Sequence, residues 1–498
     1  MSDTSKSFPH PLYEKYVLQP FFKDAEVYYY EPMLAANKTH AVMLYRSGII
    51  SHENAKALLQ ALSQIEADGL DKLGYQSGVE DLFFSMENNI IQQIGASFGG
   101  NLQLARSRND LGYALTRLAL RPLLLKSIAD LIDFRDTLLE FARQHLNTLM
   151  PGYTHTQPAQ PSTMAHYIAG VLSFLERDTA RFFFAYETNN QSPLGAAALT
   201  GTGFPINRQL SADLLGFDGV MASSYDSVAT SDNLTDVANV LNSLGVNVSR
   251  FTKDMLFWAT QESGAIRIDD SFIQISSIMP QKRNPVVLEH IRARISRMIA
   301  YAQGIVIQCH NIPFGDTQDI EDEIFPFIFG GLETSQEILQ LYDAVMTTLH
   351  VNVAHLRERT IAGFTTVTEL ADTLVREANL PFRQAHSIVS GMVTYAMENH
   401  LQPTELTSDI MRAVAQERIN QDIALSEESL QNALDPQVFI DKRTVEGGTS
   451  AEATAKVLEQ LSNKIEHDRH HHQKLLQKLS DAEAQLDNQV QSILIEEM

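Results

Sequence analysis

Three short stretches carry side chains that a helix or a turn does not require. Residues 276–285 read SSIMPQKRNP, with the hydroxyls of Ser276 and Ser277, an apolar pair ending in Met279, then Lys282 and Asn284 between two prolines. A cation and an amide donor this close to a hydroxyl are parts for holding a carboxylate beside a base. A helix beginning after Asn284, with Pro285 at its first position, accounts for the Asn-Pro pair but leaves SSIMPQK unexplained. In ARSRND, residues 105–110, Arg106, Arg108 and Asn109 crowd donors where a helix start also presents free N–H groups to an anion. An ordinary N-cap by Ser107 or Asn109 explains that stretch equally well. In GYTHTQPAQP, residues 152–161, His155 lies between Thr154 and Thr156, a group that exchanges protons near neutral pH beside hydroxyl donors. Taken alone, a loop histidine is more often structural or simply exposed.

The elements that must position these stretches are helical. Leu111, Leu115, Leu118, Leu125, Ile128, Leu131, Phe134, Leu138 and Phe141 recur at helical spacing, interrupted only by Pro122, which predicts one very long, kinked helix. Similar patterns predict helices over about 163–189, 227–260, 285–309 and 325–356, lengths that point to a bundle. Alternating strand patterns are nearly absent, so the fold class is all-α. From about 451 onward Leu475, Leu479, Ala482, Leu486 and Ile493 mark an amphipathic terminal helix. The HDRHHH run at 467–472 is read as a solvated face, because consecutive histidines such as His470, His471 and His472 point in different directions.

Composition narrows the function. The 498-residue chain carries a net charge of −23, which repels nucleic acid and anionic membranes and leaves an anionic substrate in need of a local cation cluster. Cys309 is the single cysteine, so no intramolecular disulfide forms and a reducing compartment suits the chain. With no leader-like start and no long apolar span, cytoplasm is the default location. There is no Gly-rich phosphate loop and no spaced Cys/His set, so neither a cofactor nor a metal is called for.

The run SSIMPQKRNP resembles the signature of the fumarase/aspartase superfamily, here Ser276, Met279, Lys282 and Asn284. ARSRND, MPGYTHTQPAQP, PLGAAALTGTGFPINR, LADTLVREANLPFRQAH and FIDKRTVEGGTS follow in the order of its argininosuccinate lyase branch, so the resemblance covers about residues 30 to 450. It implies a three-domain subunit, divided at about 1–107, 108–355 and 356–498, whose central long-helix bundle builds a homotetramer with each active site drawn from three subunits. The implied reaction is elimination of an amine from an N-substituted aspartate, releasing fumarate, with argininosuccinate as the default substrate. Ser276, as alkoxide, would remove the proton, and Lys282, Asn284, Arg108, Asn109 and Thr154 would steady the resulting aci-carboxylate. His155 would serve the leaving-group side, oriented by Glu289.

Departures from the family pattern mark where the substrate differs. Ile275 stands where Gly usually precedes the serine, Phe83 replaces a histidine, Ser231 an arginine, and Asn37 a serine that holds the fumarate part. Ungapped counting places the three side chains that grip the tail of the arginine part at Asp316, Glu321 and Ile324, whereas a shifted register would use Gln318. An acidic loop there favours an amine-bearing tail over one with a carboxylate. The alternatives are therefore a lyase for a different N-succinyl amine or diamine, and a non-catalytic, crystallin-like structural protein.

Overall fold

A computed structural model describes residues 8–496, and it is built almost wholly from helices. Five long helices form the centre: α1 (Arg108–Gln144), α2 (Met164–Asn189), α3 (Asp232–Trp258), α4 (Val286–Cys309) and α5 (Phe325–Thr347). Pro122 does not end α1, which runs unbroken for 37 residues because packing against the other bundle helices outweighs the one lost backbone hydrogen bond. Gly245 lets α3 and α4 approach closely, since a Cβ there would stand 2.7 Å from Ile299 Cγ1. The helical pattern expected over 325–356 stops at Thr347. His350–Val351 then pairs with Ile266–Arg267, and a separate helix follows over Val353–Ala362.

Short strands appear where the sequence showed only turn chemistry. Strand β1 (Leu149–Thr154) pairs antiparallel with β2 (Gln157–Thr163), leaving His155 and Thr156 as the two-residue turn. Both have positive φ, 50° and 63°, the left-handed geometry of a tight hairpin turn that asparagine and glycine adopt far more easily. Strain is thus stored at the hairpin tip, where Thr156 is β-branched.

The terminal helix α6 (Ala451–Ile495) lies along the bundle rather than on the helices that precede it. Leu458, Leu461, Ile465, Leu486, Val490 and Ile493 join the main core, while residues 370–434 enclose a second, smaller one. Arg135, fully buried in α1, holds Asp468 at 2.5 Å. The histidine run is only partly a solvated face. His471 stacks on Phe183 at 4.5 Å, and His472 hydrogen-bonds to the Leu125 carbonyl at 3.0 Å, because the helix lies flat against α1 and α2. Among the described residues no helix is long and apolar enough to cross a membrane.

Candidate active site

The first cluster forms at the start of α1. Ser107 caps the helix, accepting the Asn109 N–H at 3.3 Å, while Asp110 closes a capping box by accepting the Ser107 N–H at 2.9 Å. The other Asp110 oxygen accepts the N–H groups of Gly195 (2.9 Å) and Ala197 (3.0 Å), which fastens the PLGAAA loop to the helix start. Asn109 donates to the Ala198 carbonyl, and its side-chain oxygen accepts the Ser107 hydroxyl at 2.9 Å. Capping and donor clustering coexist, so the two readings of ARSRND were not rivals. Arg106 is buried and belongs elsewhere: it donates to Asn37 Oδ1 at 2.8 Å. Asn37 is itself buried and also meets Met86 Sδ, so in the single chain it braces Arg106 instead of lining the cavity.

Carboxylates gather around Arg108. Its Nη1 lies 2.9 Å from Asp81 and 3.3 Å from Glu80, and its guanidinium stacks over the Phe84 ring at 4.9 Å. Asp316, Glu321 and Asp322 line the same cavity, of about 160 Å³, together with Gln318 and Phe83. Burial, reinforced by repulsion from Asp316 and Asp322, pushes Glu321 up to about 8. Burial, with Asp81 and Glu323 nearby, raises Asp322 to about 7. Gly112 leaves the space that Glu321 occupies, because a Cβ there would stand 2.7 Å from Glu321 Oε1. Ile324 is fully buried in the core, whereas Asp316 and Glu321 of the ungapped register and Gln318 of the shifted one all line the cavity.

The second cluster is the signature loop. Gln274–Ile275 pairs antiparallel with Arg283–Asn284, and the Asn284 amide donates to the Gln274 carbonyl at 3.0 Å, which closes the loop at its base. Ser276 Oγ accepts the backbone N–H groups of Ile278 (3.3 Å) and Met279 (3.0 Å), so the hydroxyl oxygen already sits in the field of two donors that would favour an alkoxide. Ser277, Met279 and Lys282 are exposed along the loop, and Glu289 is exposed in the first turn of α4. Ile275 presents 74% of its surface to solvent. A third cluster, Thr154 and His155, is exposed at the tip of the β1–β2 hairpin.

One chain does not bring these clusters together. Helix α4 separates the signature loop from Cys309, and its 24 residues span about 36 Å. Beyond Cys309 the chain leads to Asp316 and Glu321, which meet the start of α1 at Gly112. The β1–β2 hairpin lies with the signature loop at the other end of the bundle, where Tyr153 packs edge-on against Phe257 at 5.5 Å. Among the described residues no hydrogen bond joins the hairpin tip to the signature loop. Sequence reading missed Tyr13, Val17 and Phe21, which also line the Arg108 cavity, and the acids Glu80 and Asp81. The acidic pair was visible in EDLFF; the N-terminal helix carries no chemical signal at all.

Comparison with known proteins identifies the family. The family model described as Lyase matches residues 15–300, and the model described as Argininosuccinate lyase C-terminal matches residues 364–441. The argininosuccinate lyase of Methanococcoides burtonii is 36% identical over 445 residues, 89% of either chain, and that of Methanocaldococcus jannaschii is 34% identical over 472 residues, 95% of this chain and 94% of its own. An EDDS lyase solved in complex with formate superposes with a TM-score of 0.88 at 28% identity, covering 95% of this chain and 96% of its own. Matched in fold, in motif order and over nearly the whole length, the chain belongs to the argininosuccinate lyase branch of the fumarase/aspartase superfamily, a family of carbon–nitrogen lyases.

Proposed function

We propose that this protein cleaves the C–N bond of argininosuccinate or a closely related N-substituted aspartate, releasing fumarate by anti elimination. The observation that carries this reading is Ser276 Oγ, poised on two backbone N–H groups within a loop that also holds Lys282 and Asn284. Ser276 takes the proton from the carbon beside a carboxylate. The negative charge then moves onto that carboxylate, where Lys282, Asn284, Asn109 and Thr154 act as donors to the aci form. His155, which Glu289 would orient, delivers a proton to the departing nitrogen, so the amine leaves neutral.

The separation along α4 supports a site assembled from several copies, because Arg108 and Ser276 of one chain cannot meet on one small substrate. A homotetramer built on the five-helix bundle supplies those copies. The soluble metabolic setting of such a reaction suits the cytoplasm.

The test is fumarate formation followed by its ultraviolet absorbance, with argininosuccinate first and other N-substituted aspartates next. Ser276→Ala is expected to cut kcat by about 10² to 10⁴ with assembly unaltered, the range for loss of a proton-transfer group. Undiminished turnover in that variant would remove Ser276 from its role. Silence of the parent protein across all substrates would favour the structural, crystallin-like alternative.

A further inference from the structure

The serine loop and the hairpin account for the proton chemistry, and neither says what the departing amine looks like. The cavity beside Arg108 and Asn109 does, because its walls differ in character. One wall is acidic, formed by Asp81, Asp316, Glu321 and Asp322. A second, largely apolar wall comes from the N-terminal helical segment, where Tyr13 and Val17, four residues apart, line the cavity together with Phe21. Phe22, 1% exposed, packs edge-on against Tyr75 at 5.4 Å, and the Tyr75 hydroxyl donates to Glu14 Oε1 at 3.2 Å, so this segment is rooted in the core and its wall is fixed.

A tail that satisfies both walls has an apolar stem and a cationic end. A carboxylate end meets a poor environment, because Arg108 is already shared by Asp81 and Glu80 and the carboxylates outnumber the amide donors Asn109 and Gln318. A neutral end gives Glu321 and Asp322 no cation to ionise against, so it gains nothing from the acidic wall.

Deepening the lyase reading, on which it rests, we propose that Tyr13, Val17 and Phe21 form the specificity wall of the leaving-group pocket, and that the departing group is an aliphatic amine whose distal ammonium is met by Glu321 and Asp322. Succinylated diamines are the matching substrate class.

The experiment compares kcat/KM for N-(4-aminobutyl)aspartate, N-butylaspartate, N-methylaspartate and argininosuccinate in the parent enzyme and in V17W, Y13A and D322N. The parent is expected to prefer the aminobutyl compound over its butyl isostere. D322N should reduce that preference, and V17W should lower the ratio of aminobutyl to methyl substrate, each by about tenfold, the scale of one misfitted group in a binding pocket. Tyr13 is 43% exposed, so Y13A tests the same wall at its least buried position, where truncation disturbs packing least. Ratios unmoved in all three variants, or a parent preference for argininosuccinate, would overturn the proposal while any fumarate release keeps the lyase reading. Absence of fumarate from every substrate would overturn both.

Discussion

Arg108 and Asp81 are paired at 2.9 Å across the mouth of the acidic cavity, so the guanidinium that greets an anion at the start of α1 is half-neutralised before any substrate arrives. Burial raises Asp81 even though Arg108 and the Phe84 N–H pull it the other way, which leaves the pair sensitive to what enters the cavity. Asp81 also caps the helix Leu82–Ile94 by accepting the Phe84 N–H at 2.9 Å. Asp81→Asn retains a capping side chain while removing the charge. The variant is expected to fold normally and to bind fumarate more tightly as a product inhibitor, on the order of threefold, the scale of a partly exposed ion pair. Unchanged inhibition would mean that Arg108 does not face the dicarboxylate part.

The acidic cavity predicts a pH dependence with a definite sign. Glu321 has an ordinary value of 4.5 and is raised to about 8 by burial and by its acidic neighbours. The folded chain therefore binds more protons than the unfolded one between those values, and the stability this contributes is complete below about pH 4.5 and lost as pH rises through about 8. A cationic tail favours the ionised carboxylates, so its binding releases protons. KM for the aminobutyl substrate should fall by up to about tenfold between about pH 6 and about pH 9, while KM for the butyl isostere stays flat. In Glu321→Gln both the slope in KM and the loss of stability above neutrality should shrink. Parallel profiles for the two substrates would contradict this account.

Glu369 tests a different part of the molecule. It is buried at 1% exposure and holds three cations: Arg376, Lys442 at 3.0 Å and Arg443 at 2.7 Å. Burial alone would raise its carboxyl, yet the hydrogen bonds from Lys442 and Arg443 outweigh that and keep it below the usual range. Its contribution is present above the ordinary glutamate range and is lost as pH falls through the lowered value. Glu369→Ala leaves the cations without their anion and should cost about 3 kcal/mol, read as a lower unfolding temperature and a shift of acid unfolding to higher pH. A neutral effect would mean that solvent replaces the lost anion.

How much of this was legible beforehand follows from what each residue's signal depends on. Periodicity needs only local spacing, so the five bundle helices and the terminal helix were readable, and the long helix expected through Pro122 is continuous because bundle packing, invisible in a local window, overrides one missing hydrogen bond. Ser276, Lys282 and His155 stood out as candidates because their residue types and spacing suit chemistry more than they suit a helix or a strand. The surroundings of Asn37 and Ile324 were not readable for the opposite reason: they are decided by what packs around them, Arg106 and Met86 for the first and the helical core for the second. Tyr13, Val17 and Phe21 form part of an ordinary amphipathic segment, and only the fold places them over Arg108.

The distance along α4 yields the last prediction. Arg108 and Ser276 lie toward opposite ends of the bundle in each chain, with α4, about 36 Å long, between the signature loop and the segment that meets the start of α1, so the proposed lyase site would combine the Arg108 of one subunit with the Ser276 of another. Arg108→Ala and Ser276→Ala should each be nearly inactive as pure assemblies. If the two are dissociated, mixed in equal amounts and reassociated, about a quarter of the sites in a random assembly receive both native groups, so about a quarter of parental activity should return. Two chains that each lack a group within the same self-contained site could never complement one another. Activity of the mixture that stays at the sum of its inactive parents would place Arg108 and Ser276 in one subunit's site, against the geometry of α4, or show that one of them is not needed with the other.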